Sequence, residues 1–194
     1  MPSANSSNSR FLLLGEPLAL DLVNTRIRRD GQDVDLLDTP AALGAWLRAE
    51  RERVAWSGTA SASDLAAVRA LRDAVDALLR AHRRRVRAHP HAVARVNHAL
   101  GAAAGHARLR WTATGPALQP ASRCAQRNAL LRALAVDALA LLTGADASRV
   151  RECAHPQCRL QFVARNPRRR WCSGKTCGNR ARVAAHYQRR CHAG

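Results

Sequence analysis

Residues 153–177 read CAHPQCRLQFVARNPRRRWCSGKTC, and this stretch decides how the C-terminal quarter of the chain folds. Its four cysteines, Cys153, Cys158, Cys172 and Cys177, fall as C-x4-C-x13-C-x4-C. A structural zinc site takes four thiolate or imidazole ligands in a tetrahedron. Two close pairs joined by a hairpin-length spacer supply them at small cost in chain entropy. The chain has six cysteines and shows no secretory signal, so a reducing compartment is expected, and with it one Zn2+ per chain on these four thiolates rather than two disulfides. Cys191 lies beyond a helix of about 15 Å or more, which makes it a poor ligand. Cys124 opens an apolar helix, where a buried, inert thiol is expected.

Working outward, Leu160, Phe162 and Val163 read as one strand and Arg170, Trp171 and Cys172 as its return, with Asn166-Pro167 at the turn. Gly178-Asn179-Arg180 then opens a helix to about Arg190, with Val183 and Tyr187 one turn apart and spaced to pack on Phe162 and Trp171. Knuckle, hairpin and helix in that order resemble a treble-clef zinc finger, with the second ligand pair at the helix start. A module of this size cannot rely on its own apolar core, so it is expected to be unfolded without metal.

The charge is concentrated on the same segment. The chain carries 32 Lys and Arg against 14 Asp and Glu, a net +18. Its one lysine is Lys175, and the abundance of Ala and Arg marks GC-rich coding as one source of the excess. Residues 149–194 hold twelve basic side chains and a single acid, Glu152, whereas residues 1–148 hold twenty against thirteen. Arg168, Arg169, Arg170 and Lys175 crowd the hairpin and ligand loop, and Arg180, Arg182, Arg189 and Arg190 follow on the last helix. Guanidiniums clustered on a rigid metal module match phosphates in charge and hydrogen-bonding geometry, so nucleic acid is the expected partner, duplex DNA first. RNA is the alternative, disfavoured because Phe162, Trp171 and Tyr187 are spaced to fill the module's core rather than to stack on bases. A second run, Arg80, Arg83-Arg84-Arg85 and Arg87, closes a long helix, where the macrodipole favours cations in any case.

Upstream the pattern is mostly helical. Residues 1–10 are small, polar and aperiodic and are expected to be a disordered tail; residues 11–145 form an α+β domain; residues 146–194 form the finger. Leu18 to Thr25 is a strand or a short buried helix, followed by a charged loop from Arg26 to Asp35. Asp38-Thr39-Pro40 starts a helix near 40–52, Ser63-Asp64 starts a longer one ending before Pro90, and a third runs from about His91 to Ala103. Alternation over 108–119 reads as a small hairpin, and Ala121 to Leu142 returns to helix, ended by Gly144. Asp21, Asn24, Thr25 and Arg26 are a candidate small-ligand site, set against their reading as turn or cap groups. No Ser-His-Asp, HExxH or Cys-His signature occurs, and catalysis is not expected. No segment reaches the roughly 20 apolar residues that span a bilayer.

The string Trp171-Cys172-Ser173-Gly174-Lys175-Thr176-Cys177-Gly178-Asn179-Arg180, preceded by Arg168-Arg169-Arg170 and by Cys153 and Cys158, resembles the CGNR zinc finger of bacterial proteins. Leu20-Asp21-Leu22-Val23-Asn24-Thr25 and the helix from Asp38-Thr39-Pro40 to Trp46-Leu47 are similar to the domain that accompanies it, ABATE, described as a "putative stress-induced transcription regulator". The resemblance implies that the four cysteines ligate zinc and that the finger binds DNA in the bacterial cytoplasm, at the nucleoid. The N-terminal domain would then sense a small-molecule effector or form a homodimer. Val163-Ala164-Arg165-Asn166-Pro167 departs from the family's hairpin loop and is shorter.

Overall fold

The computed structural model describes residues 10–102, 108–112, 115–119 and 122–191. The expected tail lies outside the described residues except for Arg10, whose guanidinium meets Asp38 at 2.6 Å. Cys191 closes the last described helix, but its side chain is outside them.

Helix α1 (Leu18–Val23) resolves the strand-or-helix ambiguity: all six of its residues are buried. An apolar run this short cannot be assigned by periodicity. Burial on every side does so, because α1 packs against the long helices α3 (Ala62–Arg84) and α5 (Arg123–Thr143). Helix α2 (Pro40–Ala49) starts where Thr39 accepts a hydrogen bond from Ala42 N–H, with Pro40 at the first helical position. Ser61 and Asp64 form a capping box at the start of α3, one turn earlier than its Ser63-Asp64 signal suggested. Helix α4 (Pro90–Gly101) lies between α3 and α5. Trp46, Leu43, Val68, Leu71, Leu79, Leu130 and Leu134 fill the core between these helices.

Two hairpins accompany the helices. Residues 26–35 are not a loop: β1 (Arg26–Arg29) and β2 (Gln32–Asp35) pair antiparallel around Asp30 and Gly31, both at positive φ. Those two dihedrals define the type I′ turn that suits a two-residue hairpin. The strands β3 (Arg108–Thr112) and β4 (Gly115–Gln119) pair as the alternation predicted.

In the C-terminal part, β5 (Val150–Glu152) follows a 3-10 turn at Ala147–Arg149 and pairs with β6 (Gln161–Val163), Arg151 opposite Phe162. This corrects the expected pairing of β6 with residues 170–172, which form no strand. The first cysteine pair sits in the loop between β5 and β6, and helix α6 (Cys177–Cys191) begins at the last of the four clustered cysteines. Val150 and Val163 belong to the main core, so the finger is packed onto the helical body rather than standing apart. Val183 and Tyr187 do not pack on Phe162 and Trp171; they are 45% and 63% exposed. Phe162 is buried instead in a small cluster with Leu160, Ala164, Cys153 and Trp171. Cys124 is also exposed, because the buried face of α5 begins further along, at Leu130.

Candidate metal centre

The two cysteine pairs are brought together by backbone hydrogen bonds. Cys153 N–H donates to Leu160 O at 2.9 Å and Cys158 N–H to His155 O at 2.9 Å, closing the first knuckle. Ala154 N–H donates to Arg170 O at 3.0 Å, which draws the second ligand loop against the first. Cys172 N–H then points at Cys153 Sγ, 3.4 Å away. His155 directs Nδ1 to Gln157 N–H at 3.2 Å, so that nitrogen shapes the knuckle.

All four sulfurs lie within 4.8 Å of one another. Cys158 and Cys172 are 3.8 Å apart, Cys172 and Cys177 3.7 Å. A tetrahedron with Zn–S bonds of about 2.3 Å has S···S edges of about 3.8 Å. A disulfide would hold its sulfurs at about 2.05 Å. The geometry therefore fits four thiolates around one zinc ion and not two disulfides.

The electrostatics agree. A hydrogen bond from Cys172 holds Cys158 down to about 5, helped by the Leu160 backbone N–H and opposed by burial. Donating that bond, together with burial and the neighbouring sulfurs, pushes Cys172 far above the usual thiol range. Burial and the charge on Cys158 lift Cys177 to about 11. Sulfurs this close resist ionising together, and bound Zn2+ supplies the positive charge that lets all four act as thiolates. Its chemistry here is structural: four protein ligands leave no open coordination position.

Gly178 explains one feature of the helix start. A Cβ there would meet Trp171 Cδ1 at 3.2 Å and Ser173 O at 3.4 Å, so glycine lets the helix approach the ligand loop closely without displacing the Trp171 ring by a few tenths of an ångström. Asn179 and Arg180, the next two residues, are exposed.

The helical body helps to build this centre. Glu16, buried just before α1, accepts from Val163 N–H at 2.9 Å and from Arg169 Nη2 at 3.0 Å. The same Arg169 donates to the carbonyls of Val163, Trp171 and Cys172 and lies 4.3 Å over the Phe162 ring. Asn24 acts as a one-residue strand against Gln161: its Nδ2 donates to Gln161 O at 2.9 Å and its Oδ1 accepts from Gln161 N–H at 2.8 Å. The Gln161 amide is itself gripped by Asp76 at 2.7 Å and Arg83 at 2.8 Å. Sequence reading missed Glu16 and Gln161 and took Arg83 for a helix-end cation, whereas it bonds Gln161 and Glu152. The available signal was Glu16 itself, an acid inside the apolar stretch from Phe11 to Val23, because a charge there needs a buried partner.

The candidate ligand-binding residues are spent on internal contacts. Asp21 is buried beneath Arg53, which donates to it at 2.7 Å. Burial raises the Asp21 carboxyl to about 6, with the Glu50 charge adding to the effect and Arg53 opposing it. Thr25 Oγ1 donates to Leu22 O and accepts from Arg72, and Arg26 pairs with Asp73. A cleft of about 790 Å3 opens elsewhere, between the β1–β2 hairpin, the first knuckle and α6, with Ile27, Arg29, Leu160, Trp171, Arg180 and Ala184 among its walls.

Of the residues expected to meet nucleic acid, Arg168, Arg170, Lys175, Arg180, Arg182, Arg189 and Arg190 are exposed. Arg170 lies over the Trp171 ring, and Arg182 donates to Gly174 O at 3.2 Å. Arg169 is the exception, held in the interface by Glu16 and three carbonyls. Of the twelve cations in 149–194, Arg149, Arg159 and Arg169 meet carboxylates at Asp146, Asp33 and Glu16. The other nine have no carboxylate partner among the described residues, and Glu152, the segment's one acid, is neutralised by Arg83 at 2.5 Å.

A four-cysteine zinc centre carried by a mostly helical α+β body defines the class: a zinc-finger protein of the structural type. Comparison with known families places it further. Residues 16–145 match the ABATE family, described as "Putative stress-induced transcription regulator", and residues 149–190 match the CGNR zinc finger. The chain belongs to the ABATE family and carries a CGNR finger with one Zn2+ held by four cysteines. No curated protein matches it closely. Among the described residues no helix is long and apolar enough to cross a membrane.

Proposed function

We propose that this protein is a bacterial transcription regulator that binds duplex DNA through its zinc finger, at the nucleoid. The observation that carries the reading is the set of nine finger cations without carboxylate partners, held in place by a metal-stapled loop and a helix anchored at Cys177. Arginines on a rigid support suit phosphates and guanine edges alike. Sensing would fall to the cleft between hairpin and finger rather than to Asp21, Asn24, Thr25 and Arg26, because the cleft has ligand-pocket dimensions and touches both family segments.

The test is recovery of genomic duplex fragments by the zinc-loaded chain, followed by titration of binding with salt. The bound fragments should share a sequence, and affinity should fall with a log–log slope of about −0.9 per phosphate neutralised. A flat salt response, or no retained duplex, refutes the proposal. One observation favours a second reading, a single-stranded or RNA target: Tyr187 is exposed on an arginine-rich helix, where a base could stack on it. Structured RNA that outcompetes duplex DNA in the same titration would establish that reading instead.

A further inference from the structure

A basic run far from the finger in sequence is close to it in space. Arg83, near the end of α3, reaches both residues of one rung of the finger's ladder, Gln161 Oε1 at 2.8 Å and Glu152 Oε1 at 2.5 Å. The run that follows is therefore set at the finger's edge. Arg84, Arg85 and Arg87 are all exposed, and none has a carboxylate within ion-pair distance among the described residues.

We infer that Arg84, Arg85 and Arg87 extend the finger's basic surface into one continuous phosphate-contacting face for duplex DNA. The inference rests on the DNA-binding reading above and adds a second element to its footprint. Three observations carry it.

The acids near the junction are already engaged. Glu152 is neutralised by Arg83, and Asp76 meets Arg80 at 3.0 Å and Arg159 at 3.7 Å. The positive potential therefore continues from α3 into the finger without an unpaired carboxylate at the junction. The ladder is also short. Three residues per strand at about 3.3 Å each put the run and the Arg165 end of β6 within about one helical turn of duplex.

The chain also holds an arginine where glycine is the usual choice. Arg85 caps α3 in the left-handed region at φ 54, a conformation that disfavours residues other than glycine. Arg83 is taken up by Glu152 and Gln161, which leaves Arg84, Arg85 and Arg87, three arginines within four residues, without a carboxylate partner among the described residues. Like charges this close repel one another and gain from an external polyanion.

The test compares three zinc-loaded full-length proteins by fluorescence anisotropy on a labelled mixed-sequence duplex of about 30 base pairs, with KCl varied between about 50 and 200 mM. They are the native chain, Arg84→Ala/Arg85→Ala/Arg87→Ala, and a charge-matched control, Arg48→Ala/Arg51→Ala/Arg95→Ala, on α2, just after it and on α4. The first triple variant should keep one zinc per chain, lose at least tenfold in affinity at the lower salt, and lose up to about 2.7 from the salt slope, about 0.9 per arginine. The control should keep the native slope. A native slope in the first triple variant overturns the inference while leaving DNA binding by the finger intact. Equal losses in both triple variants overturn it as well, since net charge alone would then explain them. Absence of duplex binding by the native chain removes this inference and the DNA reading together.

Discussion

Replacing Asn24 with Ala should unfold the finger and the helical body together at lower denaturant. Asn24 and Gln161 are 4% and 2% exposed, and the Asn24 carboxamide makes both hydrogen bonds to the Gln161 backbone, at 2.9 and 2.8 Å. Alanine leaves a buried N–H and a buried C=O without partners, and water has little access to either. Each unsatisfied group costs about 1–3 kcal/mol, so Asn24→Ala should destabilise the protein by about 2–6 kcal/mol. That is a large fraction of the 5–15 kcal/mol typical of a domain. The assay is urea unfolding of the zinc-loaded chain, with tryptophan fluorescence and metal release to a chromophoric chelator recorded on the same samples. Both midpoints should fall together, because the lost contact joins α1 to the strand that follows the first ligand pair. Asn24→Asp should rescue little. Its carboxylate can accept from Gln161 N–H but sets an oxygen against Gln161 O. A change below about 0.5 kcal/mol, or metal release that shifts while the fluorescence midpoint does not, refutes the coupling.

Cys172→Ser should bring bound zinc well below one per chain by elemental analysis, while far-UV circular dichroism retains most of its helical signal, because α1 to α5 bury a core of their own; collapse of the whole signal would show that the body depends on the metal. Arg169→Ala removes the partner of buried Glu16 and the donor to three carbonyls, and should cost about 2–4 kcal/mol, below the 3–5 of a fully buried pair because the Arg169 side chain is 34% exposed. Equal urea midpoints for this variant and the native chain would refute that. Gly178→Val should press on Trp171 and speed zinc loss to a chelator at least severalfold; an unchanged rate would mean the close approach is unimportant. Asp21 should titrate near pH 6 by carboxyl-detected NMR. With its folded value raised above the ordinary 3.8, its contribution to stability is full below about pH 4 and is lost as pH rises through 6; a midpoint at or below 4 would contradict the burial argument.

What could be read from the sequence was local. Thr39-Pro40 and the glycine after α5 mark helix ends because caps act within a few residues, while the start of α3 was read at Ser63-Asp64 and lies earlier, at the Ser61–Asp64 box. The four ligands were legible because metal chemistry restricts both residue type and spacing. The β1–β2 hairpin was hidden by charge: Ile27 and Val34 are its only apolar side chains, and the Asp30-Gly31 turn signal was passed over. The pairing partner of β6 could not be read, because residues on either side of the knuckle are spaced plausibly for it. The docking of the finger was least legible of all. It depends on Glu16 and Asn24 meeting residues 147 and 137 positions away, and no local pattern encodes such a contact. That distance is also why Arg169 was read as a surface cation, although its lone acid partner lies before α1. The same docking changes the expectation for the metal-free protein. With Val150 and Val163 in the main core, β5 and β6 should persist without zinc, and the disorder should fall on the knuckle, the ligand loop and α6.

The central claim is that zinc, held by four cysteines, fixes the surface that meets DNA. Duplex binding by the native chain, measured before zinc is stripped by a chelator, after stripping, and after one equivalent is restored, tests it most directly. The account predicts at least a tenfold loss on stripping and recovery on restoration, with the helical signal of α1 to α5 kept throughout and only the share of α6 lost and regained. Equal affinity in all three states would contradict it.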